Sequence, residues 1–240
     1  TEADRRANTF IVGELRKAFP RDGTIAEESK DNATPAAHER VWFIDPLDGT
    51  REFVNRNGEF AVQIGLAIGG VPVLGVVYRP VGDLLYAGII GEGAEREDPS
   101  GRRSIRVRTE SDPSKLTVLV SRSHRPERTD RLQKELGIAA VMESGSVGLK
   151  CGLLAEGAAD FYLHLSGKSS RWDSCGPEAI LRAAGGELTD LYRRPYRYDG
   201  DEILNRSGIF GFTPACVDAI TPRIEHLLSI LPKGVVPPPR

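Results

Sequence analysis

Apolar and polar positions along the chain change rhythm near its middle. In the first half, residues 4–19 place Ile11, Leu15, Ala18 and Phe19 near helical spacing, and Pro20 stops the run. An apolar stretch, Thr24-Ile25-Ala26, leads into Glu27-Glu28-Ser29, and the polar segment from Ser29 to Arg40 reads as a mobile loop. Val41-Trp42-Phe43-Ile44 is a short apolar run of the kind that forms a buried strand, and it ends abruptly at Asp45. Glu59 to Ile68 alternates in part, passes through Gly69-Gly70 and continues from Val71 to Tyr78, which is the signature of a hairpin. A second turn at 79–83 precedes Leu84 to Ala87, and Ser104 to Arg108 is expected to close the sheet. The first half thus predicts an antiparallel sheet flanked by helices.

From Leu116 onward, strand-like and helix-like segments alternate. Strands are expected at 116–120, 139–142, 161–165 and 208–212, and helices at 128–136, 149–155, 177–184 and 216–231. This alternation indicates α/β layering. The division falls near Asp112-Pro113, giving an N-terminal α+β part (1–112) and a C-terminal α/β part (113–240). Pro237-Pro238-Pro239 cannot be helix interior.

Composition narrows the possibilities modestly. The chain has 240 residues, enough for a sizeable core, and a formal net charge of −2. No global field therefore draws it to a nucleic-acid polymer or an anionic membrane, and a phosphorylated ligand must be held by local means. The 3 cysteines, at 151, 175 and 216, show neither zinc spacing nor a disulfide framework, which favours reduced thiols in a cytoplasmic protein. No segment has the length and apolarity of a membrane span and no signal peptide is visible. The sequence opens inside a motif at Thr1, so an upstream segment is expected.

The most informative stretch is Asp45-Pro46-Leu47-Asp48-Gly49-Thr50. Two carboxylates follow directly from a buried strand, Pro46 restricts one backbone angle and Gly49 permits a sharp bend, so both acids can aim into one pocket. At a separation of about 4 Å their repulsion is of order 4 kcal/mol with an effective dielectric near 20. A shared proton can offset this, and divalent cations do so better when more carboxylates converge, because hard oxygen ligands suit Mg²⁺. Thr50 starts a short helical turn, and the amides of Gly49 and Thr50 offer unsatisfied donors to a phosphate. Taken alone, the stretch also reads as a surface turn. The acidic pair Glu27-Glu28 and Asp173 in Trp172-Asp173-Ser174-Cys175-Gly176-Pro177 are likewise ambiguous alone, the latter reading as a helix N-cap.

Together, Thr-x-Ala-Asp at 1–4, Glu-Glu-Ser at 27–29, the hexapeptide at 45–50, Trp-Asp at 172–173 and Ala184-Gly185-Gly186 resemble the inositol monophosphatase superfamily over essentially the whole chain. Within it, the segment 51–60, Ser121-Arg122-Ser123-His124 and 172–178 most resemble the 3'(2'),5'-bisphosphate nucleotidases. The resemblance implies a layered α/β/α/β/α sandwich with two or three Mg²⁺ ions. It places Glu27, Asp45 and the Leu47 carbonyl on the first ion, with Asp45 bridging to a second that Asp48 and Asp173 complete. Asp4 and Thr50, with Glu27, would activate water. Gly49, Thr50, His124, Ser146, Gly148, Lys150 and His164 would line the substrate, although histidine at 164 departs from the residues that relatives carry there. The implied reaction removes the 3'-phosphate of 3'-phosphoadenosine 5'-phosphate. An inositol or sugar phosphatase with the same chemistry, and a catalytically silent metal- or nucleotide-binding regulator, are the alternatives, and monomer and homodimer both remain open. A haloacid dehalogenase type motif fits poorly, because it has one residue between its aspartates and this chain has Pro46 and Leu47.

Overall fold

The structure, a computed structural model, describes residues 1–122 and 133–230. Helix α1 (Glu2–Ala18) leads to β1 (Gly23–Ala26) and β2 (Arg40–Asp48), followed by the single-turn helix α2 (Thr50–Val54). Strands β3 (Ala61–Ile68), β4 (Val71–Arg79), β5 (Leu84–Ile89), β6 (Gly93–Asp98) and β7 (Gly101–Ile105) then follow one another. They build a seven-stranded sheet in sequential order, antiparallel except where β1 runs parallel to β2. A second sheet, ordered β11-β12-β10-β8-β9, contains β8 (Thr117–Ser121), β9 (Ala140–Ser144), β10 (Phe161–His164), β11 (Glu187–Thr189) and β12 (Ile209–Phe212). Helices α3 (Val147–Ala155), α4 (Arg171–Ala183) and α5 (Val217–Ile230) follow, residues 133–136 are helical, and Pro35–Ala37 and Pro113–Lys115 form single 3-10 turns.

The layers follow from three apolar clusters. Val12 of α1 packs with Ala26, Trp42, Ile44 and Leu66 on the outer face of the first sheet, and Phe19 stacks on Trp42 with ring centroids 5.1 Å apart. The central cluster joins the inner faces of both sheets through α3 and α4, including Phe43, Tyr86, Leu154, Tyr162 and Ile180. The outer face of the second sheet is closed by Ile220, Ile224 and Leu227 of α5. Burying each such side chain contributes roughly 1.5–3 kcal/mol, so every layer depends on its neighbour. The arrangement is the expected α/β/α/β/α sandwich.

Helix α4 lies unusually close to the first sheet. Gly65, Gly75 and Gly88 are directly paired across β3, β4 and β5, forming a shallow trench without side chains. A Cβ on Gly65 or Gly75 would run into the backbone of Gly176, and one on Gly88 would lie 2.8 Å from the Ile180 Cα.

Three strands escaped the sequence reading. Strand β1 is only four residues long, and β11 only three. Strand β6 and the start of β7 carry little apolar alternation, because they pair through charge, as in Arg102 Nη2 to Glu97 Oε2 at 2.6 Å. Helix α4 begins at Arg171, six residues before the expected start, and contains Pro177. Proline is a common first helical residue, but here it forgoes a hydrogen bond inside the helix. Residues 128–132 of the expected helix lie outside the described residues.

Candidate metal centre and active site

Two parallel strand ends set the first acids side by side. Ala26 pairs with Ile44, and the Glu27 amide donates to the Ile44 carbonyl at 3.2 Å, so the chain leaves β1 at the level of Asp45. The Glu27 carboxyl meets that of Asp45 at an exposed rim, whereas Asp45 itself is buried. Regular alternation would send Asp45 and Asp48 to opposite faces of the sheet. Instead, Asp45 pairs with Gln63 and Asp48 with Ala61, three steps against two. This bulge absorbs one extra residue and returns both carboxylates to one face. The Leu47 amide donates to Asp45 Oδ1 at 2.9 Å, and the Thr50 hydroxyl donates to the Leu47 carbonyl at 3.3 Å. Gly49 turns the chain at φ 91°, a conformation that disfavours any side chain, and a Cβ there would sit 3.1 Å from the Glu59 carbonyl oxygen.

The third aspartate arrives on α4. Ser170 is its N-cap, and Asp173, in the first turn, accepts from the Ser170 amide at 2.5 Å in a capping box. Asn205, 1 % exposed, ties this turn down by donating to the Ser170 carbonyl at 2.7 Å and accepting from Arg171 at 2.7 Å. The Arg171 guanidinium lies 4.6 Å from the centroid of the Tyr196 ring. Asp45, Asp48 and Asp173 each present an oxygen within 4.8 Å of the others.

This convergence carries an electrostatic penalty. Burial, then the charges of Asp48, Asp173 and Glu27, push Asp45 well above the usual carboxylate range. Burial and then Asp48 raise Asp173 to about 7. Burial also raises Glu27 and Asp48, the latter against the opposing pull of Lys150. Among the described residues no arginine or lysine forms an ion pair with Glu27, Asp45, Asp48 or Asp173. Carboxylates that converge without an ion-paired arginine or lysine fit a hard divalent cation, which would favour their ionised forms.

A family model described as the inositol monophosphatase family matches residues 1–219. The chain belongs to the inositol monophosphatase family. With it the chain joins the metal-dependent phosphatases. Among relatives, the 3'(2'),5'-bisphosphate nucleotidase CysQ of Escherichia coli K12 is 38% identical over 209 residues, covering 87% of this chain and 82% of the relative. The CysQ of Salmonella typhimurium is 40% identical over the same length, with the same coverage. Among solved structures, the inositol monophosphatase of Anabaena aligns with a TM-score of 0.79 and 29% identity, over 97% of this chain and 88% of that one.

Within this family member the remaining residues singled out from sequence fall into three groups. Asp4, 2 % exposed, sits in the first turn of α1, and its charge reaches Glu27. The same helix is tied to the acidic segment by Asn8 Nδ2, which donates to Ser29 Oγ at 3.1 Å. Thr50 is exposed at the start of α2 beside Gly49, and His164 is half-buried at the end of β10; His124 lies outside the described residues.

Ser146, Gly148 and Lys150, which the resemblance sets against the substrate, also have partners within the protein. Ser146 Oγ donates to Asp48 Oδ2 at 2.6 Å and the Gly148 amide to the same oxygen at 3.2 Å. Lys150, 2 % exposed, spends its ammonium on the carbonyls of Ser144, Gly145 and Ser146, at 3.2, 3.0 and 2.5 Å. Burial lowers its pKa to about 8, partly offset by Asp48. These residues hold the loop that buttresses Asp48, because α3 starts inside the protein at Ser146 and points them inward.

Three residues of the site escaped the sequence reading: Gln63, Ser170 and Asn205. Ser170-x-x-Asp173 has the spacing of a capping box, a legible signal. Gln63 is a lone polar residue in the apolar run Ala61–Ile68 and was visible as an anomaly. Asn205 lies in an irregular stretch, and only the fold brings it to α4.

Proposed function

We propose that this chain is a magnesium-dependent phosphomonoesterase that removes the 3'-phosphate of 3'-phosphoadenosine 5'-phosphate, releasing AMP and phosphate. The observation that carries the reading is the meeting of the three aspartate oxygens within 4.8 Å, with Glu27 against Asp45. The nucleotide as substrate is supported by the relatives named as 3'(2'),5'-bisphosphate nucleotidases at 38% and 40% identity. Magnesium is preferred because every donor is oxygen.

In this reading Glu27, Asp45 and the Leu47 carbonyl hold one ion, and Asp45, Asp48 and Asp173 hold a second. When bound, the ions supply positive charge that offsets the charge building on the phosphoryl oxygens and the departing oxygen. Thr50 and Asp4, with Glu27, orient the attacking water and take its proton. The amides of Gly49 and Thr50 donate to the phosphoryl group, and His124 and His164 contact the remainder of the substrate. The reading includes two subdomains divided at 112/113, a cytoplasmic location and a monomer or homodimer. No helix of the described residues is long and apolar enough to cross a membrane.

The test is a substrate panel of 3'-phosphoadenosine 5'-phosphate, inositol 1-phosphate and fructose 1,6-bisphosphate, with Mg²⁺ and with a chelator. The highest kcat/KM is expected on the nucleotide, with loss of turnover in the chelator. Preference for inositol 1-phosphate would transfer the assignment to the monophosphatase branch. Absence of turnover on every ester would leave a silent regulator.

A further inference from the structure

Gln63 stands where an apolar residue would ordinarily serve the fold better. It lies in the middle of β3, directly opposite Asp45, and is 0% exposed. Its Nε2 donates to Asp48 Oδ2, and its Oε1 has no hydrogen-bond partner among the described residues. A buried amide oxygen left unsatisfied destabilises a fold, and a leucine or methionine of similar volume would avoid the penalty. The amide is therefore unfavourable for the strand and favourable only for what its nitrogen reaches. Three donors converge on that one Asp48 oxygen: Gln63 Nε2, Ser146 Oγ and the Gly148 amide. Ser146 and Gly148 come from the far sheet's connection into α3, whereas Gln63 belongs to the same sheet as Asp45 and Asp48.

We propose that Gln63 is a positioning residue for Asp48: its amide turns Oδ2 into the protein and leaves Oδ1 to face the cation. The inference rests on the metal-binding reading of the site. A carboxylate that accepts three hydrogen bonds on one oxygen is locked in one rotamer, so its second oxygen is presented without further ordering. Partners behind a metal ligand typically change metal affinity about 10–100-fold when lost.

The experiment titrates the full chain with Mn²⁺, read by electron paramagnetic resonance, and measures thermal unfolding in chelator. It compares the wild type with Gln63→Met and Gln63→Leu, both of which keep the buried volume roughly filled and remove the donor. Both variants are expected to raise the Mn²⁺ Kd about 10–100-fold, while the metal-free Tm of Gln63→Met stays unchanged or rises. Retention of wild-type affinity by the variants would overturn the role of Gln63 and leave the metal site standing. A fall in the metal-free Tm of Gln63→Met, or failure of both variants to fold, would make Gln63 a packing residue and equally overturn it. A wild type that binds no Mn²⁺ would remove the metal reading itself, and Gln63 with it.

Discussion

The two ends of the acidic cluster are held in different ways. Asp45 and Asp48 stand in one bulged strand whose bend is shaped by neighbours a few residues away, namely the Leu47 amide on Asp45, the Thr50 hydroxyl on the Leu47 carbonyl and the positive φ of Gly49, while Gln63, Ser146 and Gly148 hold the Asp48 carboxylate from farther along the chain. Asp173 has one local tie, the Ser170 amide of its capping box, but its place in the site is set from farther away. It is carried on a helix whose backbone rests in a trench of three glycines from three strands, and whose first turn is pinned by Asn205 from a distant loop. At one end of the site, the bend that aims the two acids is therefore a property of a turn. The other is a property of how closely two layers approach, and an error of an ångström in that approach would move a ligand.

The sharpest way to break this comparison is at the acid that both ends share. Asp45→Asn is expected to lower kcat/KM by more than the ~100-fold typical of a residue behind a ligand, with the fold retained. Its metal-free Tm should be no lower than that of the wild type, because a buried carboxyl that is hard to ionise has been made permanently neutral. Near-normal hydrolysis by this variant would refute the bridging role. The next largest effect separates the two ends. Gly75→Ala drives a methyl group into the Gly176 carbonyl and should destabilise by about 3 kcal/mol, with Mg²⁺ affinity falling as α4 lifts. Gly49→Ala strains only a turn and should lower stability by roughly 1–2 kcal/mol while activity falls more than global stability does. Chemical unfolding and Mg²⁺ titration of the pair decide the matter; equal effects on both readouts would erase the distinction.

The smallest effect is in pH. Burial first, with Asp48, holds Asp173 at about 7 in the fold, and burial holds Glu178 at about 7 despite the Tyr198 hydroxyl and Arg182 beside it. Both values lie above those of the unfolded chain, so the folded state binds more protons between the two. The stabilisation is complete below the unfolded values and is lost as pH rises through about 7. The metal-free Tm should therefore fall by on the order of 5 °C between about pH 5 and about pH 8. Saturating Mg²⁺ should remove the part due to Asp173 and leave the part due to Glu178, which lies deeper in α4. A metal-free Tm that rises over this range would contradict the burial of both carboxyls.

Much of this molecule was already written in short-range pattern. The buried run Val41–Ile44, the glycine turn at Gly49 and the hairpin through Gly69-Gly70 each follow from residue types and spacing, because they are set by neighbours in the chain, although the strand continues past the expected end at Asp45 to Asp48. The layered class followed from the alternation after Leu116. Strands that pair through charge, such as β6 with β7, left no apolar period to read. Only the resemblance singled out Lys150, and its contact with three carbonyls belongs to the fold and leaves no mark in the local pattern.

Which acids meet, and at what distance, was decided only in three dimensions. Asp173 reaches Asp48 because Gly65, Gly75 and Gly88 happen to align across three strands and admit a helix backbone where any side chain would exclude it. Spacing along a chain encodes the local bend that aims a carboxylate. The approach of two layers is the sum of many side-chain volumes from distant segments, and no single stretch of sequence contains that sum.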